Sequence, residues 1–422
     1  MIQHDQVRFG VVGIGNIGSA HAACLARGAI EGGQLAALCD CDPAKAQLAR
    51  QQYPAVPFFD EAQALFASGL CDAVIISVPH RFHVPLGIAA LAQGLHVLVE
   101  KPAGVSVSEV RRLNEAARQS GRVFGIMFNQ RTDPLFQKAK ALLSAGALGA
   151  MKRVNWIITN WYRTQAYYNS GGWRASWTGE GGGVLLNQAP HNLDLLQWIC
   201  GMPKRVRAFC YEGKYHQIEV EDEATLYLEY ENGATGLFVT STGEYPGTNR
   251  LEITGERGKM VLEEGKLKLF TTEESEREFC FSLPVNAPLP ALQHQTIEFS
   301  DSINGHAAII QNFADAVRTG APLLSPGEEG INELSLSNAA YLSSWQQDWV
   351  DLPLDAALFD ERLNRRAAKN SGGTPADREA GASVGENDVS SAAGSVFADS
   401  DGSTAPAAGG QGSYKDKWKV NW

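Results

Sequence analysis

Three groups of residues carry the chemistry this chain could perform. The first is Glu100-Lys101-Pro102, which follows the apolar run Leu95-His96-Val97-Leu98-Val99. The run reads as a buried strand. A proline cannot donate to a central ladder, so the strand ends there and leaves a lysine at its carboxyl end. In open α/β sheets that edge is where ligands bind. The second group is Gly13-Ile14-Gly15-Asn16-Ile17-Gly18, with Asp40 lying 22 residues beyond Gly18. Gly13 allows a tight turn, Gly15 lets the backbone approach a pyrophosphate, and Gly18 lets helix and strand pack closely. Asn16 and Ile17 lie in the same turn, before a helix read over Ser19 to Arg27. The pyrophosphate would meet the free N–H groups of that helix. Asp40 can accept from ribose hydroxyls and would repel a 2′-phosphate, and Cys41 follows it where an arginine could have held one. The pattern favours NAD over NADP.

The third group begins at Gly181-Gly182-Gly183 and runs to Trp198. Asn187, His191 and Asp194 are four and three residues apart, so on one helix they lie near one face. Leucines and Trp198 sit behind them, which suggests a polar face turned into a cleft. The same pattern fits an ordinary amphipathic helix with a hydrogen-bonded histidine. Pro190 is tolerated in a first turn or at a bend.

These groups need elements to hold them. Strands are expected at Val7 to Val12, Leu35 to Cys39, Ala73 to Val78, Leu95 to Val99 and Val123 to Phe128. Helices are expected at Phe82 to Gln93 and Ser106 to Ser120. Such alternation implies a doubly wound parallel sheet. After Arg131 the pattern changes. A helix at Pro134 to Ala145 precedes a strand at Met151 to Tyr162. Glu223 to Tyr230 and Ala234 to Thr240 flank the hairpin signal Asn232-Gly233. Arg250 to Thr254, Lys259 to Leu262 and Lys266 to Phe270 read as further strands. Helices follow at His306 to Thr319 and Gly327 to Trp345. The fold class is therefore α/β: an N-terminal doubly wound parallel sheet over residues 1–130 and an α+β region over 131–365 with a mainly antiparallel sheet. Residues 366–422 are rich in Gly, Ser, Ala and Asp and read as a disordered tail, with tryptophans only near the end.

Flanking residues extend the candidate site. Ser77, Pro79, His80 and His83 lie at or just after the end of the Ala73 strand, where loops of this fold contact the ribose and nicotinamide. His83 also suits a cap or packing role. Asn129 and Arg131 follow the Val123 strand and cross between the two regions. Tyr162, Arg163, Trp173 and Arg174 lie in or beside a Tyr- and Gly-rich loop at 164–183. Aromatic platforms with arginines suit sugar rings, which offer apolar C–H faces and many hydroxyls. Core packing explains a tryptophan as readily.

Composition bounds the function. A net charge of −11 argues against a nucleic-acid or anionic-membrane surface. No run of 18 apolar residues suggests a membrane span, and nothing before the first strand reads as a signal peptide. The seven cysteines show no C-x-x-C spacing and read as reduced thiols of a cytoplasmic protein. Cys39 and Cys41 are explained by their strand end, and no metal site is expected.

Taken together, the nucleotide fingerprint, E-K-P after the Leu95 strand, and a glycine-rich loop leading to [D/N]-x-x-x-H-x-x-D resemble the glucose–fructose oxidoreductase and inositol dehydrogenase (Gfo/Idh/MocA) family. The likeness covers roughly residues 6 to 355. It implies a Rossmann domain beside an open-faced sheet, NAD(P)-dependent oxidation of a sugar, cyclitol or other polyol, and a homodimer or homotetramer formed through that sheet. The family's catalytic lysine matches Lys101 and its histidine matches His191. A frequent aspartate of the family is replaced by Asn187, an amide that can still bond a substrate hydroxyl. The resemblance also implies a cis Lys101–Pro102 peptide. Oxidising a secondary alcohol needs a proton acceptor, which His191 can be near neutral pH, and a group that stabilises the alkoxide, which Lys101 can be. Glu100 is expected to pair with a ribose hydroxyl or with Lys101. Alternatives within the resemblance are redox-neutral glycoside cleavage using NAD and a non-catalytic nucleotide sensor.

Overall fold

The computed structural model describes residues 6–299 and 304–370. Its first sheet is formed by β1 (Val7–Val12), β2 (Gly33–Cys39), β3 (Phe58–Phe59), β4 (Ala73–Ile76), β5 (His96–Val99) and β6 (Phe124–Ile126). All pair in parallel, in the order β3-β2-β1-β4-β5-β6. The order reverses between β1 and β4, the switch point where such sheets hold ligands. The strands are continuous apolar runs because both faces are covered. The crossovers carry α1 (Asn16–Ala26), α2 (Pro43–Gln52), α3 (Ala62–Ala67), α4 (His83–Ala92) and α5 (Val107–Ser120). Local chemistry sets their ends. Asp42 caps α2 by accepting the Ala44 N–H at 2.9 Å, with Pro43 in the first turn. Gly121, at φ 62°, ends α5 in the left-handed region.

The chain then forms α6 (Pro134–Ser144), β7 (Met151–Ile158), α7 (Gln165–Asn169), α8 (Val184–Asn187), α9 (Pro190–Cys200) and β8 (Arg205–Glu212). β9 (Glu221–Glu229), β10 (Thr235–Ser241), β11 (Asn249–Gly255), β12 (Gly258–Glu263) and β13 (Lys266–Thr271) follow. Next come α10 (Glu276–Ser282), β14 (Gln293–Glu298), α11 (Gly305–Thr319), α12 (Gly330–Gln346), β15 (Val350–Asp351) and α13 (Ala356–Asn370). The second sheet runs β14-β13-β12-β11-β7-β10-β9-β8-β15. Only β7 and β10 are parallel neighbours among the described residues. α12 packs on β8 and α9, and one face of the sheet is buried beneath these helices.

Several expectations shift. β4 ends at Ile76, which leaves Ser77 and Val78 in the loop. β7 ends at Ile158, four residues short of Tyr162. There the chain leaves β7's ladder, and the Thr159 N–H bonds the Thr248 carbonyl at 2.7 Å. α11 returns to the first sheet, where Ile309, Ile310 and Phe313 join Phe9 and Val11 in one core. α13 runs across the boundary expected at residue 365, and the remainder of the expected tail, 371–422, lies outside the described residues.

Candidate active site

A cleft of about 620 Å³ runs along the carboxyl edge of the first sheet, from Asp40 and Lys45 to Lys101 and Asn187. Its nucleotide end is built by the three glycines. Gly13 has φ +85°, and a Cβ there would lie 2.6 Å from the Ser77 carbonyl. A Cβ on Gly18 would lie 1.8 Å from the Gly13 carbonyl, while one on Gly15 would enter open space. Gly15 is thus where a pyrophosphate can approach. The first turn of α1 has no side-chain cap, so its N–H groups remain for an anion. Ser77 Oγ donates to the Gly13 carbonyl at 2.8 Å and fixes the turn. Asp40 accepts from the Ile14 and Asp42 N–H groups at 2.9 and 3.0 Å. Burial pushes its carboxyl up, and those two bonds pull it down. Its remaining lone pairs suit a ribose diol. These features fit a dinucleotide. Cys41 lines this end too, in keeping with its place after Asp40, together with Asp42 and Lys45, which the sequence pattern did not single out.

At the other end, Glu100 and Lys101 leave β5 through a cis Lys101–Pro102 peptide. Glu100 is 5% exposed, and its Oε1 lies 2.8 Å from His21 Nε2. Burial pushes the carboxyl up, but His21, Lys101 and His306 outweigh it and hold it down to about 2. The other oxygen, Oε2, accepts from the Lys101 backbone N–H at 3.2 Å, so of the two expected partners, a ribose hydroxyl or Lys101, the second is met through the backbone, and the side-chain partner is His21 from α1. Lys101 Nζ instead donates to the Asn187 carbonyl at 2.8 Å. Burial pushes this ammonium down, against the pull of Glu100, Glu333 and Glu180. His306, from α11, joins the lining. Asn129 stands behind it, with Nδ2 at 3.3 Å from His306 Nδ1.

Asn187, His191 and Asp194 do not share one helix. α8 ends at Asn187 and α9 starts at Pro190, whose ring and missing N–H prevent one helix from passing through. Asp194 is buried in a two-bond pair with Arg131, at 2.8 and 2.6 Å, and turns away from His191. Arg131 is thereby a clamp at 0% exposure, with no place in the cleft. His191 lies edge-on to Phe128, and its Nδ1 is buried without a hydrogen-bond partner among the described residues. Burial and the Lys101 charge hold the imidazole down to about 3, so the ring is neutral but binds a proton only weakly in this arrangement, and among the described residues it lies outside the cleft lining.

The loop residues divide. Trp173 and Arg174 line the cleft, with the Arg174 guanidinium over Trp173 and Tyr167 at 4.7 and 4.6 Å. Tyr162 and Arg163 fall outside the lining, because β7 ends early and the chain turns away. Tyr162 packs on Tyr245, and Arg163 lies over Tyr167 and Trp161. Pro79, His80 and His83 line the cleft. Both His83 ring nitrogens lie 2.7 Å from carbonyls, of Pro102 and Val78, so this ring ties the end of β4 to the Lys101 turn. His80 Nδ1 lies 3.1 Å from the Glu180 carbonyl.

Two buried carboxyls went unread in the sequence. Glu180 accepts from the Ala175 N–H at 2.7 Å and from the Asn187 amide. Glu333 is 0% exposed, and neither of its oxygens has a hydrogen-bond partner among the described residues.

Comparison with known proteins fits this geometry. Residues 7–128 match the oxidoreductase family with an NAD-binding Rossmann fold, and residues 136–261 match the GFO/IDH/MocA C-terminal domain. The chain belongs to the Gfo/Idh/MocA family. Among relatives, an uncharacterised oxidoreductase of Escherichia coli K12 is 33% identical over 47% of this chain and 55% of its own length. This chain thus spans little more than half of that relative. The scyllo-inositol 2-dehydrogenase (NAD(+)) of Bacillus subtilis is 26% identical over 78% of this chain and 91% of its own. A crystal structure of the WlbA dehydrogenase of Chromobacterium violaceum, with NADH and UDP-GlcNAcA, superposes with a TM-score of 0.71 at 28% identity. It covers 84% of this chain and 98% of that one. The Gfo/Idh/MocA membership accounts for the pairing of a Rossmann sheet with the mixed second sheet.

Proposed function

We propose that this family member is an NAD-dependent dehydrogenase that oxidises a secondary alcohol of a sugar, cyclitol or related polyol. The observation that carries the reading is that one cleft holds both the Gly13–Gly15 turn and Lys101, whose Nζ is held at 2.8 Å by the Asn187 carbonyl. The names of the Bacillus subtilis and Chromobacterium violaceum relatives support the substrate class. Lys101 binds the reacting oxygen and stabilises the alkoxide as it develops. His191, neutral because it is buried beside that charge, takes the hydroxyl proton. Trp173 and Arg174 present a flat face and a donor to the ring. Bound NAD supplies the hydride acceptor. The exposed Phe209, Tyr211, Tyr227 and Ile157 on the second sheet support self-association through that face.

The test is NADH formation by the purified protein with NAD across inositols, aldoses, uronic acids and anhydrosugars. Turnover on at least one class is expected. Tight NAD binding with no NADH from any of them would sink the reading.

A further inference from the structure

We propose that Glu180 is a positioning residue that fixes the Asn187 side-chain amide with its carbonyl oxygen toward the cleft, so that Asn187 reads a substrate hydroxyl as a hydrogen-bond acceptor. The inference rests on the dehydrogenase reading and concerns the same site. Asn187 uses both ends. Its backbone carbonyl holds Lys101 Nζ at 2.8 Å, and its side chain lines the cleft. Its Nδ2 donates to Glu180 Oε1 and, at 3.4 Å, to the Tyr167 hydroxyl. Both contacts consume the NH₂ end. Oδ1 is left without a donor among the described residues.

Glu180 must be a carboxylate to do this. Its two oxygens face two donors, the Asn187 NH₂ on Oε1 and the Ala175 N–H, at 2.7 Å, on Oε2. Glu180 is 1% exposed, so water cannot stand in for either oxygen. A glutamine has one acceptor. It either leaves the Ala175 N–H opposite its own NH₂ or turns that NH₂ on Asn187 and flips the amide. The charge neighbours are Arg174, 4.0 Å away, and Lys101, with the Tyr168 hydroxyl also facing the group. Burial pushes the Glu180 carboxyl up to about 7 despite those cations and its two bonds. On protonation an oxygen that must accept becomes a donor, and the amide loses its orientation as in the glutamine variant. Where a carboxylate at 187 would offer acceptor oxygens in any rotamer, this chain uses an amide and a second carboxylate to orient it.

The experiment compares wild type, Glu180→Gln, Asn187→Asp and Glu180→Gln/Asn187→Asp. Each is assayed for NADH formation on myo-inositol, scyllo-inositol, glucose, glucuronate and levoglucosan, with NADH affinity and Tm measured in parallel. The expected result is a loss of about 10–100-fold in kcat/KM for Glu180→Gln at unchanged NADH affinity, the scale set by a buried polar group left unpaired. Asn187→Asp alone also loses activity, because two buried carboxyls then face each other. The double variant recovers to near wild type, since the carboxylate introduced at position 187 accepts in any rotamer and the amide introduced at position 180 can donate to it. Wild-type kcat/KM falls as pH drops through about 7, where Glu180 takes a proton. Wild-type turnover with Glu180→Gln unchanged, or impaired and not rescued by Asn187→Asp, overturns the inference and leaves the dehydrogenase reading standing. No wild-type turnover on any probe overturns both.

Discussion

Lys101 and His191 stand in an unusual electrostatic relation. Burial lowers the proton affinity of the imidazole, and the ammonium adds to the effect until the ring holds its proton only below about 3. His191 is therefore neutral near pH 7, and a substrate alkoxide paired with Lys101 would have to raise its affinity for it to take the proton. Lys101→Ala and His191→Ala are each expected to lower kcat by about 10²–10⁴-fold while leaving NADH affinity unchanged, as read by fluorescence titration. Glu333 makes a different prediction. Burial holds its carboxyl well above the ordinary range, with Asp194 adding to the effect and Lys101 opposing it. The native state keeps this proton after the unfolded chain has released it. Its contribution to stability is present below the unfolded carboxyl value and is lost as pH rises. Glu333→Gln should flatten the decline in Tm as pH rises above the ordinary carboxyl range. An unchanged slope would show that Glu333 ionises in the folded protein. At this scale the contiguous motifs were legible. Gly13 to Gly18 and Glu100-Lys101-Pro102 each place their own atoms by local geometry. Glu180, Glu333, His21 and His306 were not, because each reaches the site from another element, and nothing adjacent in sequence marks a buried carboxyl as one that faces a lysine.

Among the elements, the short helix α8 depends on support from afar. Glu221, on β9, accepts from the Gly183 and Leu185 N–H groups at 2.9 Å each and from the Tyr341 hydroxyl at 2.7 Å. It satisfies the first turn of a helix too short to stand alone, whose last residue holds Lys101. Gly183 is obligatory there, since a Cβ would lie 1.9 Å from the Glu221 carbonyl. Glu221→Gln leaves one of three donors unpaired and should cost about 1–3 kcal/mol in urea unfolding. A cost near zero would mean that α8 is held by packing alone. Asp194→Ala should cost about 3 kcal/mol by the same measurement, because it removes two charge-assisted bonds from the buried Arg131 and leaves its guanidinium with Glu329 and the Leu324 carbonyl. Five strands and three helices of the first region were readable from apolar runs and caps, whereas α2, β3 and α3 were not, α2 being polar over half its length and β3 only two residues long. The break between α8 and α9 was foreshadowed by Pro190, but spacing alone joined Asn187 to His191 and Asp194. β8 went unread because its outward positions carry Phe209 and Tyr211 after Arg205 and Arg207, so the polar–apolar alternation lapses beyond Ala208. β14 did too, because its residues are polar and mostly exposed.

Across the whole molecule, the chain crosses between its two sheets more than once. α11 leaves the second region to cover the face of the first sheet and delivers His306 to the cleft. The sequence showed a good helix there but nothing about where it docks, since docking is decided by the match of Phe313 to Phe9 across 304 residues. Likewise the division near residue 130 was visible as a change of periodicity, while the interleaving was not. The outer face of the second sheet exposes Phe209 at 50% and Tyr227 at 40%. Light scattering should report a dimer or larger, and Phe209→Glu with Tyr227→Glu should shift it toward monomer. A monomeric wild type would remove the self-association proposal without touching the chemistry. Among the described residues no helix is long and apolar enough to cross a membrane.

The central claim is that hydride leaves a carbon of a polyol within the cleft that Lys101 closes. It is tested most directly by supplying carbon-deuterated inositols and sugars with NAD and following deuterium by mass spectrometry. The account predicts one deuterium on the reduced cofactor with wild type and almost none with Lys101→Ala or His191→Ala. Retention of all deuterium on the sugars, with NAD bound and the protein folded, would contradict it.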